Sequence, residues 1–199
     1  MKKLKLKKLM VAAGLVVSFS AFSLTNHTEA ATNHIIQYGE TYWNIAKGFG
    51  VPVKSLMSVN HSKPLNAGDN MVIPNSPISI ADKDLMARLV HAEAVGEPYA
   101  GKVAVATVIL NRVKNSDFPN TVPEVIYQKS NGHSAFTPVA NGQINQPADA
   151  ASKRAVNEAL AFMGNGNGSL FFYNPKTSVS SWIYSRPVTV TIGNHRFAK

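Results

Sequence analysis

The five residues Ile73 Pro74 Asn75 Ser76 Pro77 constrain this chain more than any other stretch. Proline fixes φ, lacks a backbone donor and pushes the preceding residue into an extended conformation, so two prolines this close exclude helix and favour a connector. The seam divides the chain into a short unit, residues 33 to 75, a linker, 76 to 81, and a longer unit, 82 to 199. Cysteine is absent from all 199 residues, so neither unit has a disulfide framework, a thiolate zinc site or a thiol nucleophile. Stability has to come from packed cores, which 45% apolar composition permits.

Ahead of the short unit, Lys2, Lys3, Lys5, Lys7 and Lys8 precede an apolar stretch from Leu9 to Phe22 and a small-residue site ending Glu29 Ala30 Ala31. That is the three-part layout of a secretory signal peptide, and residues 1 to 30 are expected to be removed. The apolar run is shorter than the ~20 residues that span a bilayer as a helix, so no membrane insertion is expected after cleavage. Of the 20 basic and 11 acidic side chains, five Lys and one Glu lie in this leader, which leaves a mildly basic mature chain. Such a charge suits an anionic polymer and equally a merely soluble surface. Nucleic acid is a poor partner, because export separates the protein from it and no basic run survives cleavage.

The short unit reads as strand, helix, helix, strand. His34 to Gln37 forms the first strand, Thr41 caps a helix containing Trp43, Ile45 and Ala46, a second helix spans Val53 to Asn60, and Met71 to Ile73 returns as a strand that Pro74 ends. The stretches YGETYWNIAKGFGV and LNAGDNMVIP, with Asn60 between them, resemble the LysM family across residues 34 to 74. The resemblance implies binding of N-acetylglucosamine-containing glycans through the loop after the first strand and the loop before the second. It implicates Gly39, Glu40, Thr41 and the stretch from Asn60 to Leu65. The family more often carries Asp at the position of Glu40.

In the longer unit, helices are expected over about 82 to 95, 99 to 112 and 147 to 163, the second apolar almost all round and therefore central. Leu170 to Tyr173 and the alternating Val188, Val190 and Ile192 then read as strands. The chain is thus expected to be α+β, a small βααβ module followed by a mostly helical domain with a small sheet. Leu85, Leu89 and Glu93 fall four residues apart, so the Glu93 carboxyl shares the stripe that packs inward. Burial there raises a carboxyl pKa, and an acid still protonated near neutrality can donate its proton to a leaving oxygen. Spacing alone leaves open the alternative of an exposed Glu93 paired with Arg88 or Lys102.

The stretches ARLVHAEAVGEPYAGKVAVATVILNRV, YQKSNGHSAFTPVANGQI and LFFYNPKTSVSSWIYSRPVTVTIGNHRFAK resemble the spore cortex-lytic, or SleB-type, cell-wall hydrolases over essentially all of residues 82 to 199. The resemblance implies a fold similar to goose-type lysozymes and lytic transglycosylases. It implies cleavage between N-acetylmuramic acid and N-acetylglucosamine, and a catalytic Glu at position 93. It calls for no cofactor and no metal, makes peptidoglycan glycan strands the partner, and places the protein outside the cell, at the wall or spore cortex. An accessory protein cannot be read from it. Glu97, Asp117 and Asp149 are candidates for the second carboxylate a hydrolase would use, with Glu97 as readily fixing a turn before Pro98. Tyr99, Phe136, Tyr173 and Trp182 are candidate sugar-stacking platforms, with Gln143 and Asn174 as candidate hydrogen-bonding groups. For each aromatic, core packing competes with sugar contact.

Three other readings stand beside a lytic transglycosylase. A hydrolytic muramidase or glucosaminidase would leave reducing ends carrying added water. A metal-dependent peptidoglycan amidase would need His91, His133 and His195 to converge, although no HExxH occurs. A non-catalytic wall-binding protein would rely on the LysM module alone.

Overall fold

The structure, a computed structural model, describes residues 32–130, 132–165 and 168–199. The expected signal peptide lies outside them. Strands β1 (Thr32–Ile35) and β2 (Asn70–Ile73) pair antiparallel with Thr32 opposite Ile73, and helices α1 (Tyr42–Phe49) and α2 (Val53–Val59) connect them. Thr41 caps α1, its hydroxyl accepting from the Asn44 N–H at 3.1 Å. Gly50 ends the helix in the left-handed region at φ 63°, which frees its N–H for the Ala46 carbonyl. Asn60 holds the unit closed. Its side-chain amide donates to Leu56 O and Val72 O, both at 2.8 Å, and its carbonyl oxygen accepts from Val72 N at 3.0 Å. Inside lie Ile36, Ile45, Ala46, Val51, Leu56, Met71 and Ile73.

The larger unit begins with α3 (Ile80–Glu93), capped by Ser79, whose hydroxyl accepts from Asp82 N at 3.0 Å. Next come α4 (Tyr99–Lys114) and the short α5 (Val122–Ile126), capped by Thr121, whose hydroxyl accepts from Glu124 N and donates to the Glu124 carboxylate. A two-residue hairpin, β3 (Lys129–Ser130) with β4 (His133–Ser134), leads to α6 (Thr137–Ala140) and a 3-10 turn at Gln143–Asn145. Helix α7 (Ala150–Phe162) follows, capped by Asp149. Strand β5 (Phe171–Tyr173), helix α8 (Ser181–Tyr184) and strands β6 (Val188–Ile192) and β7 (His195–Ala198) complete the chain. The sheet is antiparallel in the order β5-β7-β6.

Helices α3, α4 and α7 enclose one core. Met86, Leu89 and Val90 face Val105, Val108 and Ile109, and Ala155, Val156, Ala159 and Leu160 close it from α7. The three helices expected from periodicity are present within a few residues of their expected ends. The short elements α5, α6 and α8 and the final strand β7 carry too few turns for periodicity to reveal them.

The two units touch through α7. Ala161 is fully buried in the core of the small unit, and Trp43 meets the Phe162 ring edge-on at 4.5 Å. Lys47 pairs with Glu158 at 3.7 Å, Lys54 donates to Gly164 O at 3.2 Å, and Ser76 donates to Gly50 O at 3.0 Å. Gly50 lies so close to the Asn157 side chain that a Cβ at this position would collide with it.

Asn60→Ala removes three hydrogen bonds and leaves two partners on Val72 and one on Leu56 unmet. It is expected to cost about 1–3 kcal/mol and to appear in calorimetry as a lower-temperature transition of the small unit.

Candidate active site

Glu93 is the last residue of α3, placed there by the Leu85–Leu89–Glu93 stripe, with Leu85 7% and Leu89 0% exposed. Its carboxyl is largely enclosed. Burial pushes its pKa from 4.5 up to about 7; an N–H bond from Thr137 at the start of α6 and the positive charge of Arg112 pull the other way without cancelling it. The carbonyl end of a helix adds to the first effect, because its partial negative charge disfavours a carboxylate. Near neutrality Glu93 is therefore poised to give or take a proton.

The alternative partners are engaged elsewhere. Arg88 pairs with Asp84 at 3.0 Å and donates to Ile144 O, while Lys102 reaches Ser152 at 3.3 Å and Asp149 at 3.6 Å. The cation facing Glu93 is Arg112, in the last turn of α4. Its guanidinium has the rings of Phe118, Phe136 and Phe171 at 5.0, 5.1 and 5.5 Å, and its Nε donates to Leu170 O at 2.7 Å. Burial lowers its pKa to about 10, so it stays cationic at neutral pH. Neither Arg112 nor Thr137 stands out from sequence: a basic residue in a final helical turn reads as a helix-dipole partner, and a backbone N–H leaves no trace.

Two of the three candidate second carboxylates, Glu97 and Asp149, have structural work. Glu97 accepts from the Asn194 N–H at 3.0 Å and from the Asn194 side chain at 3.1 Å, tying the β6–β7 turn to the start of α4. Gly193 in that turn sits at φ 58° with Glu97 against it, so a side chain is excluded both by conformation and by space. Asp149 caps α7, and hydrogen bonds from Ser152, with a smaller contribution from Lys102, bring its pKa down to about 2. Its Oδ2 also lies 3.3 Å from His91 Nδ1. Asp117 sits in the turn after α4, its N–H on the Asn115 side chain.

The aromatic candidates separate into three groups. Phe136 is 3% exposed and stacks on Phe172 and beneath Arg112, so it supports the site and offers no face to a sugar. Tyr173 is likewise buried, edge-on to Tyr184 at 5.2 Å. Tyr99 opens α4, roughly 20 Å along the helix from Arg112, and its hydroxyl donates to Glu158 at 2.9 Å beside the small unit. It lines an apolar cavity of about 380 Å³ with Val103, Phe162 and Ile192, and that cavity does not include Glu93. Trp182 alone is 54% exposed; it touches Phe171 edge-on at 5.0 Å and so adjoins the Arg112 cluster. Gln143 is exposed in the 3-10 turn after α6, and Asn174 accepts from Lys176 N just after β5.

In the small unit, Gly39 turns at φ 82° and Thr41 caps α1. Glu40 accepts from Gln37 N and His34 Nε2, both at 2.7 Å, which holds its pKa low and commits its side chain to the turn. The amide of Asn60 is spent on closing the unit, and Leu65 packs on its core. The His61–Ser62 pair between Asn60 and Leu65 adopts φ 54° and 50°, a left-handed strain for residues with side chains. Among the described residues no group of three or more His, Asp or Glu is placed to hold a metal ion.

A cell wall hydrolase family model matches residues 96–198, and a LysM domain model matches residues 34–74. The chain belongs to the cell wall hydrolase family. Glu93 lies three residues ahead of the first matched position. A spore cortex-lytic enzyme of Bacillus cereus is 45% identical over 136 residues, which cover 68% of this chain and 50% of that protein. One from Bacillus subtilis is 40% identical over 130 residues, 64% and 41% of the two chains. The chain thus spans about half the length of such relatives. Among solved structures, the catalytic domain of the germination-specific lytic transglycosylase SleB from Bacillus anthracis matches with TM-score 0.57 at 44% identity, over 64% of this chain and all of that one. The helical unit with its small sheet is therefore a SleB-like catalytic fold, preceded by a LysM domain.

A carboxyl whose pKa rises from 4.5 unfolded to about 7 folded contributes stability that is complete below pH 4.5 and is lost as the pH climbs through 7. Glu93→Gln stays neutral throughout. Its stability relative to the parent should increase from pH 4.5 to 7 and level off, by at most about 3 kcal/mol. Urea titrations at pH 5 and pH 8 measure this, and an unchanged difference between them would place Glu93 in water.

Proposed function

We propose that the protein is a secreted lytic transglycosylase that cuts peptidoglycan glycan strands between N-acetylmuramic acid and N-acetylglucosamine. In this reading residues 33–75 hold it on glycan and residues 82–199 do the cutting. The observation that carries the reading is the enclosed Glu93, acidic near pH 7, while the Glu97 and Asp149 carboxylates are engaged by partners of their own.

One acid is enough for this chemistry. The Glu93 proton passes to the bridging oxygen as the bond from the muramic C1 to that oxygen breaks, and the electron pair leaves with the oxygen. The resulting carboxylate takes the proton of the C6 hydroxyl while the C6 oxygen closes onto C1. A 1,6-anhydro ring forms, Glu93 is protonated again, and no water enters. Hydrolysis would use a second carboxylate about 5 to 9.5 Å away, and Glu97 and Asp149 are held by their own partners. The SleB relative is itself named a germination-specific lytic transglycosylase, and spore cortex is the substrate that the names of the spore cortex-lytic relatives point to. Carbohydrate contact is assigned to Trp182, Gln143 and Asn174 on the large unit and to the Gly39–Thr41 and Asn60–Leu65 loops on the small one, chiefly through backbone groups in the latter.

Glu93→Gln should lower strand cleavage by about 10²–10⁴-fold with binding to purified wall intact. Mass spectrometry of the parent's products should show anhydromuramic ends; products that have gained water would instead identify a hydrolase. Activity should fall as pH rises through about 7, where the acid loses its proton.

A further inference from the structure

Arg112 is 7% exposed, and apart from the Nε bond to Leu170 O its guanidinium makes no hydrogen bond. The two terminal nitrogens carry four N–H donors with no protein acceptor among the described residues. They are also not sealed off: among the described residues the fully enclosed side-chain nitrogens without a hydrogen bond are His91 Nδ1, Arg186 Nε and His195 Nδ1. Burying a cation while leaving most of its donors unused is costly unless something else takes them. Three phenyl rings surround the guanidinium and the Leu170 bond pins it, so the direction of its free edge is fixed. Glu93 and Arg112 feel each other's charge without closing into an ion pair, so neither side chain takes up the other's polar atoms. On the far side of Phe171, Arg186 lies 5.1 Å from that ring and 5.3 Å from the exposed Trp182, so the cationic and aromatic surface continues outward from the same place.

We propose that Arg112 is a substrate-binding residue whose free guanidinium edge receives a carboxylate or acyl oxygen of the muramic residue next to the bond that is cut. A planar fork of parallel donors matches such a two-oxygen or carbonyl acceptor, and its orientation is already set before the ligand arrives. The glycan has two sources of this chemistry beside the scissile bond: the lactyl carboxyl, free or joined to a stem peptide, and the N-acetyl carbonyl. The inference rests on the reading of Glu93 as the acid over which the strand lies.

The test uses the full chain and soluble glycan strands, with and without stem peptides, and follows turnover against strand concentration. Arg112→Gln should raise KM so that kcat/KM falls about 10- to 100-fold. A fall that is larger on peptide-free strands assigns the lactyl carboxylate, and an equal fall on both assigns an acyl carbonyl. The pH profile gives a second readout. Among the described residues the groups acting on Glu93 are the Thr137 N–H from α6 and Arg112 from α4, so losing the cation should move the basic limb to higher pH. Arg112→Lys keeps the charge without the fork, and should lose kcat/KM with the limb unmoved; it also decides the matter if the Gln variant does not fold. A lower melting temperature with kcat/KM within threefold of the parent, and the limb in place, would overturn the proposal and leave Arg112 as a tie between α4 and β5. Glu93→Gln serves as the separate control: activity surviving in that variant refutes the acid assignment, whereas the Arg112 proposal is judged on KM.

Discussion

Keeping one carboxyl group protonated near neutrality sets the terms for the rest of this fold. The group has to be shut away from water, and in the proposed reaction a glycan strand has to meet it. Glu93 is enclosed at the end of α3, where the helix has just left the core formed by Leu85 and Leu89. The next residue, Ala94, is fully buried and anchors the chain as it turns toward α4. Enclosure raises the pKa, and the Thr137 N–H and Arg112 restrain the rise to about 7. Without that restraint the group would hold its proton too tightly to give it up near neutrality, and without the enclosure it would already be ionised there.

Helix α7 connects this chemistry to the small unit. One of its faces supplies Ala155, Val156, Ala159 and Leu160 to the catalytic core, while Ala161 enters the core of the LysM unit. A short linker alone would let the two units rotate freely. Here Trp43 against Phe162, Lys47 against Glu158 and the close approach of Gly50 to Asn157 hold them in one orientation. Tyr99, expected at the sugar, sits at this joint instead, its hydroxyl on Glu158 and its pKa pushed up to about 12 by burial and by that carboxylate. A strand held by the small unit would therefore meet the large one at a set angle.

The features legible in the sequence were those with long-range regularity. Periodicity located α3, α4 and α7 because each runs three turns or more, and the Leu85–Leu89–Glu93 spacing put the acid on a buried stripe. Glu97 fixing a turn was also legible, since a charged residue between glycine and proline has few other uses; its partner, ninety-seven residues away at Asn194, was not. Aromatic residues misled for a physical reason. A phenyl ring that stacks on sugar and one that stacks on guanidinium have the same composition signal, and only the fold shows that Phe136 and Phe171 surround Arg112. Asn60 was similar: a polar residue between two helix-length segments reads as a binding group, but its amide geometry suits it to closing the βααβ unit.

In the proposed reaction, the Arg112 cluster would let a single carboxyl act in both directions. A cation in contact with Glu93 would hold it ionised and abolish the acid; a cation far away would leave the carboxylate, once formed, in an apolar enclosure with nothing to balance it. Arg112 stands between these limits. It is fixed on three rings and on Leu170 O at a separation where its charge is felt but no ion pair forms. In the proposed reaction, the attraction between the two side chains would appear as the proton leaves and vanish when the C6 hydroxyl proton returns. The balance requires no movement of either group, which is why the guanidinium is so thoroughly packed.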